Sequence, residues 1–571
     1  VGLNLDRLER DSTELRERMS YMIVAKVGLP FSHMRFVNLY MNDRRKSQVY
    51  ADVQQPNGDY LKCWFPNEAE GDLFKIDDWF EFDDGPQISR QFNINATLQN
   101  FTTVGGVKKK ARYRWSWGLD PLCSEAENYT NLFDLVDVMN MNENTPQFEA
   151  AVRGFIHEDF VRSVAIRHVV ADWDGYGYNR GKNSSVYKPD FGKWRLLQWD
   201  LDMALGASSS SSAGLFSVND AVLRNNFLQH WSIRRDYWRT IYDAVNGPLQ
   251  QACYDQILDQ SYNAFQAAGL SIADPAPVKT WLQQRRDYLT TQLAGVASPF
   301  EITTNGGNDF NTSQTIEILS GVAPVNVETL RVNGVPFVVN WASVNAWSIQ
   351  VGLIVGPNVI LVEGYDTDGN LVASDTITIT LTDDSISPEG FLIINEVQYN
   401  PSLPNAEFVE IYNRSSIHAF DLSGYRLNGV DYTFPPGTVI QPQAYMVIVE
   451  NEPTFIAAYG AIGGLVGEYN GNLDNGGETL SIMSPDDVVI DSFRYDDLPP
   501  WDADADGGGP SLQLIDVNQN NDVIGNWVAD TVVLYTPGVV NSVSTTLPIF
   551  PTLRINEVQP NNLNAAMDNA G

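Results

Sequence analysis

Ala171-Asp172-Trp173-Asp174-Gly175-Tyr176-Gly177-Tyr178-Asn179-Arg180-Gly181-Lys182-Asn183 is a polar, glycine-punctuated loop that runs directly into an apolar strand, Ser184-Ser185-Val186-Tyr187. It follows an apolar helical pattern over residues 160–170. A second apolar strand, Trp194-Arg195-Leu196-Leu197-Gln198-Trp199, ends in Asp200-Leu201-Asp202. Pro189-Asp190-Phe191-Gly192 between them reads as a turn. Antiparallel pairing across that turn folds Asp200 back beside the Asp174 loop, gathering carboxylates and an amide from two loops at one mouth. Hard Mg²⁺ takes such oxygen ligands and fills its remaining positions with phosphate and water. Phosphoryl transfer needs one carboxylate to orient the acceptor hydroxyl, and a second with an amide to hold the metal.

Upstream of the loop the chain reads as mixed α/β. A helical stretch over residues 15–27 stops at Gly28-Leu29-Pro30, and strands follow at residues 36–40 and 49–53. Helical periodicity then covers residues 131–138, 160–170, 227–245, 249–268 and 278–293. A small β-rich lobe leading into a helical lobe is expected. Near Pro299 the composition changes. Residues 1–300 hold 32 of the 37 basic residues, whereas residues 301–571 hold 5 basic against 34 acidic, and Lys279 is the last lysine. The acidic half reads as all-β, with short alternating strands such as Thr315-Ile316-Glu317-Ile318-Leu319 between turn residues, the pattern of sandwiches.

Composition excludes several classes of function. A net charge of −34 repels phosphate backbones, so nucleic acid is not an expected partner. No apolar run reaches the ~18 residues of a membrane span. Cys63, Cys123 and Cys253 are too few for a disulfide framework. Gly175-x-Gly177-x-x-x-Gly181 has the wrong spacing for a dinucleotide fingerprint, His157-Glu158 lacks the second histidine of a zinc protease helix, and neither G-x-S-x-G nor a P-loop is present.

The pattern Asp172-Trp173-Asp174-Gly175-Tyr176 … Asn183-x-x-x-Tyr187 … Gly192-Lys193-Trp194 … Trp199-Asp200-x-Asp202 … Gly206 resembles the signature of the spore-coat protein H (CotH) kinase family. That family is a secreted or surface-associated group with an atypical protein-kinase-like fold. Val27-Gly28-Leu29-Pro30, Phe36-Val37-Asn38-Leu39-Tyr40 and Gly71-Asp72-Leu73-Phe74-Lys75 are similar to its N-lobe, and Trp281-Leu282-Gln283-Gln284-Arg285-Arg286 to its closing helix. The resemblance implies roles. Asp174 is the catalytic aspartate, Asp200 the Mg²⁺ (or Mn²⁺) ligand, Asp202 a further ligand or its support, and Lys75 the contact to the phosphates of ATP. The loop amide is Asn179, by kinase-like spacing from Asp174, or Asn183, by the family's spacing to Tyr187; Asn183 is preferred. Gln54 stands where the family commonly has an acid, and residues 42–50 lack the glycine common between its N-lobe strands.

Plain readings stand beside these. Asp200-x-Asp202 suits a helix N-terminus, Lys75 a solvated sheet edge, Lys108-Lys109-Lys110 a hairpin edge, and residues 208–212 (all serine) a flexible loop, with a lid or self-phosphorylation stretch as the sharper alternative. His168 reads as a packed histidine. In the β half, Ile394-Asn395-Glu396-Val397, Glu407-Phe408-Val409-Glu410-Ile411-Tyr412-Asn413 and Asp474-Asn475-Gly476-Gly477-Glu478 resemble a lamin-tail domain, an immunoglobulin-like sandwich. Asp502-x-Asp504-x-Asp506-Gly507 matches the start of a calcium loop, but Gln513 occupies the twelfth position, so an acidic turn is the ordinary reading there and calcium the alternative. Leu392-Ile393-Ile394-Asn395-Glu396-Val397-Gln398 returns as Leu553-Arg554-Ile555-Asn556-Glu557-Val558-Gln559, a second copy that runs into the chain end and reads as truncated.

The expected fold class is multidomain: an α+β kinase-like domain over residues 1–298 (N-lobe to about 120, helical lobe from 121), a small sandwich over 299–385, a lamin-tail domain over 386–535 and the start of another over 550–571. The expected function is Mg²⁺-dependent transfer of a nucleotide γ-phosphoryl group to hydroxyls of a protein, the chain itself included, on a secreted or cell-surface bacterial protein of which this chain is a fragment. The lamin-tail modules are expected to bind a surface or polysaccharide ligand. The alternatives are a non-catalytic scaffold or adhesin with a degenerate kinase-like lobe, and a polysaccharide hydrolase using Asp174 and Asp200 as paired acids.

Overall fold

The computed structural model describes residues 4–8, 10–46, 49–78, 80–82, 90–92, 95–120, 128–143, 146–382 and 386–550. Cys123 and the second copy of the repeated strand lie outside the described residues.

The first half is organised around a four-stranded antiparallel sheet in the order Arg195–Gln198, Ser184–Pro189, Gly71–Ile76, Trp117–Leu119. Its hairpin is the one expected across Pro189-Asp190-Phe191-Gly192, with Ser184 opposite Gln198 and Tyr187 opposite Arg195. Every residue of Ser184–Pro189 is buried, because both faces of the strand are covered. Phe74, Ile76, Val186 and Leu196 join the large core with the helices, while Leu73, Tyr187 and Leu197 pack with Tyr60, Leu61 and Phe65 on the other face. The sheet crosses the lobe boundary expected near residue 120, since Ser184–Pro189 pairs with Gly71–Ile76 along its whole length. The close pairing needs Gly71: at φ +145°, a Cβ there would stand 2.1 Å from the carbonyl oxygen of Lys188. A separate sheet holds Leu5–Asp6, Tyr50–Val53 and Met34–Val37. The strand expected over 36–40 is therefore shifted and broken, running Met34–Val37 and resuming at Tyr40–Met41.

The helices lie close to their sequence spans: Arg16–Lys26, Thr130–Met139, Asp159–Val169, Gln251–Ala267 and Ala276–Ala294. The stretch expected as one helix from 227 divides into a 3₁₀ turn, Phe227–Gln229, and a helix, Trp231–Asn246. Gly58–Trp64 is a helix that the apolar pattern does not signal; Asn57 caps it, its side chain accepting from the amides of Asp59 and Tyr60 at 3.1 Å each.

Two β units follow. Residues 301–381 form a four-stranded and a five-stranded sheet around Leu319, Leu330, Trp347, Val362 and Ile379. From Leu392 to Ala529 a six-stranded sheet faces a four-stranded one around a second core that includes Ile394, Ile411, Leu427 and Ile482. The unit continues past 529. Asn541 donates to the carbonyl oxygens of Asn395 (3.0 Å) and Leu514 (2.8 Å), and buried Glu396 and Glu410 accept from Thr536 and Gly538. Both units dock on the helical half. The Arg235 guanidinium, on Trp231–Asn246, donates to the carbonyls of Val344 (2.5 Å), Pro324 (2.6 Å) and Val327 (2.6 Å) and lies 3.6 Å from the centroid of the Trp341 ring. Phe455 and Ile456, on the inserted helix Glu452–Tyr459, join the core of the first half. Among the described residues no helix is long and apolar enough to cross a membrane.

Candidate active site

The site is built by a buried arginine. Arg167, in the last turn of Asp159–Val169, is fully buried and ion-paired to fully buried Asp172. Its guanidinium also donates to Gln198 Oε1 (2.9 Å) and to the carbonyls of Asn183 (2.7 Å) and Trp199 (3.1 Å). One side chain thereby fixes the Asp174 loop, the start of one hairpin strand and the end of the other. A charge that deep persists only when its donors are satisfied. Gly175 is obligatory beside it, because a Cβ there would fall 1.7 Å from Arg167 Nη1. Gly181 is equally constrained, with Ala96 N 2.0 Å from its notional Cβ.

Asp174 is buried, and its carboxylate faces Lys182, with Oδ2 3.0 Å from Nζ. Asn183 Nδ2 donates to the Asp174 carbonyl at 2.9 Å and stands 3.5 Å from Oδ2. Asp200 sits at φ +52° and Asn183 at φ +56°, left-handed conformations that cost a non-glycine residue about 1–3 kcal/mol and gather at functional sites. The hydroxyl of buried Tyr21 accepts from the Asp200 amide at 3.1 Å and holds that conformation.

Electrostatics joins the acids. Burial raises the Asp200 carboxyl, Asp6 and Asp174 raise it further, and Arg167 and Lys182 oppose them. Burial, then Asp200 and Asp172, push Asp202 up to about 7. Asp172 rises to about 6, chiefly by burial, despite Arg167. Asp174 is among the charges that raise both Asp200 and Asp202, so the three acids interact electrostatically.

The remaining predicted residues are Lys75, on the strand paired with Ser184–Pro189, and Asn179, in the Asp174 loop. Lys75 is 64% exposed, and its ion pair, at 3.5 Å, is with Asp77. Asn179 is exposed, linked to the loop by its amide to the Trp173 carbonyl at 3.2 Å. Of the two asparagines the structure brings Asn183 to Asp174. Lys182 and Arg167 were not picked out from sequence; a lysine one residue before the preferred asparagine and an arginine inside an apolar helix were the available signals. His168 is buried in aromatic contacts, with burial lowering its pKa to about 4, so it is packed and neutral at pH 7.

The serine segment is tied down. Trp173 Nε1 donates to Ser208 Oγ, Trp281 Nε1 to the Ser209 carbonyl (3.1 Å) and Arg285 to that of Ser211 (2.9 Å). In the β half, Asp502 accepts from the amides of Asp504 and Ala529, Asp506 accepts from Asn400, and Gln513 is buried in strand Leu512–Leu514. Among the described residues no group of three or more His, Cys, Asp or Glu side chains is arranged to hold a metal ion by itself.

Residues 2–270 match the family model described as CotH kinase protein, and residues 385–497 that described as Lamin Tail Domain. Invasin CotH3 of Rhizopus delemar is 25% identical over 259 residues, 42% of this chain and 39% of the relative. Invasin CotH2 of the same organism is 24% identical over 209 residues, 36% of this chain and 32% of the relative. The chain thus matches 32% to 39% of the length of these relatives. The chain carries a CotH kinase protein domain at residues 2–270, just under half of its length, and a lamin tail domain at residues 385–497.

Proposed function

We propose that the first half is an atypical protein kinase that transfers a nucleotide γ-phosphoryl group to a protein hydroxyl. The observation that carries this reading is the arrangement of Asp174, Asn183 and Asp200 around the Arg167 hub, an oxygen-rich set in which Asp174 and Asp200 interact electrostatically. Asp200 and Asn183, with Asp202 beside them, would hold Mg²⁺ or Mn²⁺. These donors suit a hard divalent ion that completes its shell with phosphate and water, consistent with fewer than three grouped protein ligands. The bound ion would supply neutralisation of charge on the phosphoryl oxygens.

The chain's own residues do the rest. Asp174 orients the acceptor hydroxyl and accepts its hydrogen bond. Asn183 fixes the Asp174 backbone. Lys182, already paired to Asp174, supplies the cation expected of Lys75. Such catalysis is positioning and electrostatics. A secreted or cell-surface setting is part of the proposal, supported by the lysine-free acidic β half and the invasin name of the relatives; those relatives are fungal and lend no support to a bacterial origin.

A second reading, a non-catalytic surface scaffold, is favoured by Gln54 in place of an acid and by the exposed position of Lys75. Melting curves of the chain with ATP, with and without Mg²⁺, separate the two. Ligand at a hundred times its Kd adds about 2.7 kcal/mol of stability. A Mg²⁺-dependent upward shift is expected; no shift at millimolar ATP favours the scaffold.

A further inference from the structure

Glu396 and Glu410 stand directly opposite each other on the strands Leu392–Gln398 and Phe408–Asn413 of the lamin-tail unit, and both are fully buried. Asn395 is the extra residue of a bulge between them, and its side-chain amide donates to Glu410 Oε1 at 2.7 Å. Side chains opposed in this way have Cβ atoms about 4.5–5.5 Å apart, where like charges repel. Among the described residues every hydrogen-bond partner of the pair is neutral, and no cation is paired with either acid. Glu396 accepts from the Ser511 hydroxyl (2.5 Å) and from the Thr536 amide and hydroxyl (2.8 Å each). Glu410 accepts from Asn395 and from the Gly538 amide at 2.6 Å. Two buried carboxylates without a cation do not both ionise cheaply. Burial raises both, and Glu396 raises Glu410 further. Glu396, with the larger set of donors, is the better anion, and Glu410 the better proton carrier.

Most of these donors come from one segment. Residues 530–542 follow the last strand, Trp527–Ala529, and form no helix or strand. They lie as a strap on the sheet, with Thr536 on Glu396, Gly538 on Glu410, and Asn541 closing on Asn395 in both directions: Oδ1 accepts from Asn395 Nδ2 at 2.9 Å, and Nδ2 donates to the Asn395 carbonyl at 3.0 Å. Neutral bonds hold its ends, from the Ser511 amide to the Leu534 carbonyl (2.7 Å) and from the Ser542 amide to Gln513 Oε1 (3.0 Å). The other titratable groups around the pair are not switches in the same range. Tyr459, on Glu452–Tyr459, is raised by burial, Tyr535 and Glu396, and Tyr445, on the adjoining strand, by burial, Tyr412 and Glu410, so both phenols stay uncharged where a carboxyl titrates. Asp530 is lowered by the Val532 amide and the Ser542 hydroxyl and stays ionised.

We propose that Glu396 and Glu410 hold one proton between them and thereby clasp residues 530–542 to the sheet, and that loss of this proton releases the strap. Release admits water to both carboxylates and returns them to their ordinary range. The closed state is therefore favoured while the proton is bound, and the open state gains as pH rises through the raised value of the pair. Opening lengthens the free chain ahead of residues 553–559, where Asn395-Glu396 recurs as Asn556-Glu557. The clasp thus sets, with pH, how tightly successive segments of the β half are joined, and it does not depend on the phosphotransfer reading.

Hydrogen exchange of the full chain between pH 6 and pH 10 tests it, read by mass spectrometry on peptides covering residues 530–542 and on helix Asp159–Val169 as internal control, with rates corrected for intrinsic exchange. In wild type, strap protection should fall by up to about tenfold per pH unit above the titration of the pair, while the helix stays protected. Glu410→Gln and Glu396→Gln each leave at most one charge on the pair, so strap protection in either should not change with pH. Constant strap protection in wild type overturns the inference, as does a fall that the helix shares or that persists in either folded variant. The wild-type profile decides alone if a variant does not fold.

Discussion

Arg167 shows how little of a site can rest on the residues that do its chemistry. It touches no substrate in the proposed reaction, yet it holds three backbone segments in register. Arg167→Met should leave Asp172 buried and unpaired and lower stability by about 3–5 kcal/mol, which denaturant unfolding followed by circular dichroism would measure. Arginine in an apolar helical pattern reads equally well as a side chain extending to solvent, so this hub was not legible. The two lysines differ for a related reason. Lys75 has the strand position that a phosphate contact has in a kinase, but strand pairing leaves its side chain exposed beside Asp77, whereas the turn before Asn183 delivers Lys182 to Asp174. Lys182→Ala should reduce phosphate transfer at least about tenfold, and Lys75→Ala should change it by less than about twofold. Equal losses would restore Lys75 to the site.

At the scale of elements, the hairpin was readable because two apolar runs flank a turn-forming tetrapeptide, and its closure brings Asp200 to the Asp174 loop. The sheet that contains it was not readable, because pairing between Ser184–Pro189 and Gly71–Ile76 joins segments over a hundred residues apart and no local pattern encodes it. Gly71→Ala should force these strands apart at the Lys188 carbonyl and cost about 3 kcal/mol or more; hydrogen exchange should show faster exchange at Val186 and Lys188 than in wild type. In the β half, the strand Phe408–Asn413 is preceded by Glu407, whose carboxyl is raised to about 7, chiefly by burial, despite accepting from the Leu473 amide at 2.8 Å and the Tyr469 hydroxyl at 3.1 Å. Its folded pKa exceeds the ordinary value of 4.5, so protonation favours the folded state. That contribution is complete below about 4.5 and is lost as pH rises through about 7. Glu407→Gln keeps an acceptor oxygen, and its melting temperature should fall less than that of wild type between pH 5 and pH 8.

At the scale of the whole molecule, the composition change near Pro299 marks a real change of architecture, from a mixed α/β half to β sheets. The sequence did not disclose that the three units are joined through polar anchors. Arg235 is the clearest, a guanidinium from the helical half enclosed by backbone carbonyls of the first β unit. Lys193, in the site hairpin, is 3.3 Å from Glu452 of the lamin-tail unit, and Asn451 donates to the Phe191 carbonyl at 3.1 Å. Arg235→Ala should uncouple the halves, so that calorimetry resolves separate transitions where wild type shows overlapping ones; unchanged overlap would mean the remaining contacts suffice.

The central claim is that Asp174 and Asp200 act on one phosphoryl group. Incorporation of label from γ-labelled ATP by wild type and Asp200→Asn, in Mg²⁺ and with a generic protein acceptor, tests it most directly. The account predicts transfer by wild type and a loss of at least about a hundredfold in a variant that melts normally. Wild-type incorporation by Asp200→Asn would contradict it.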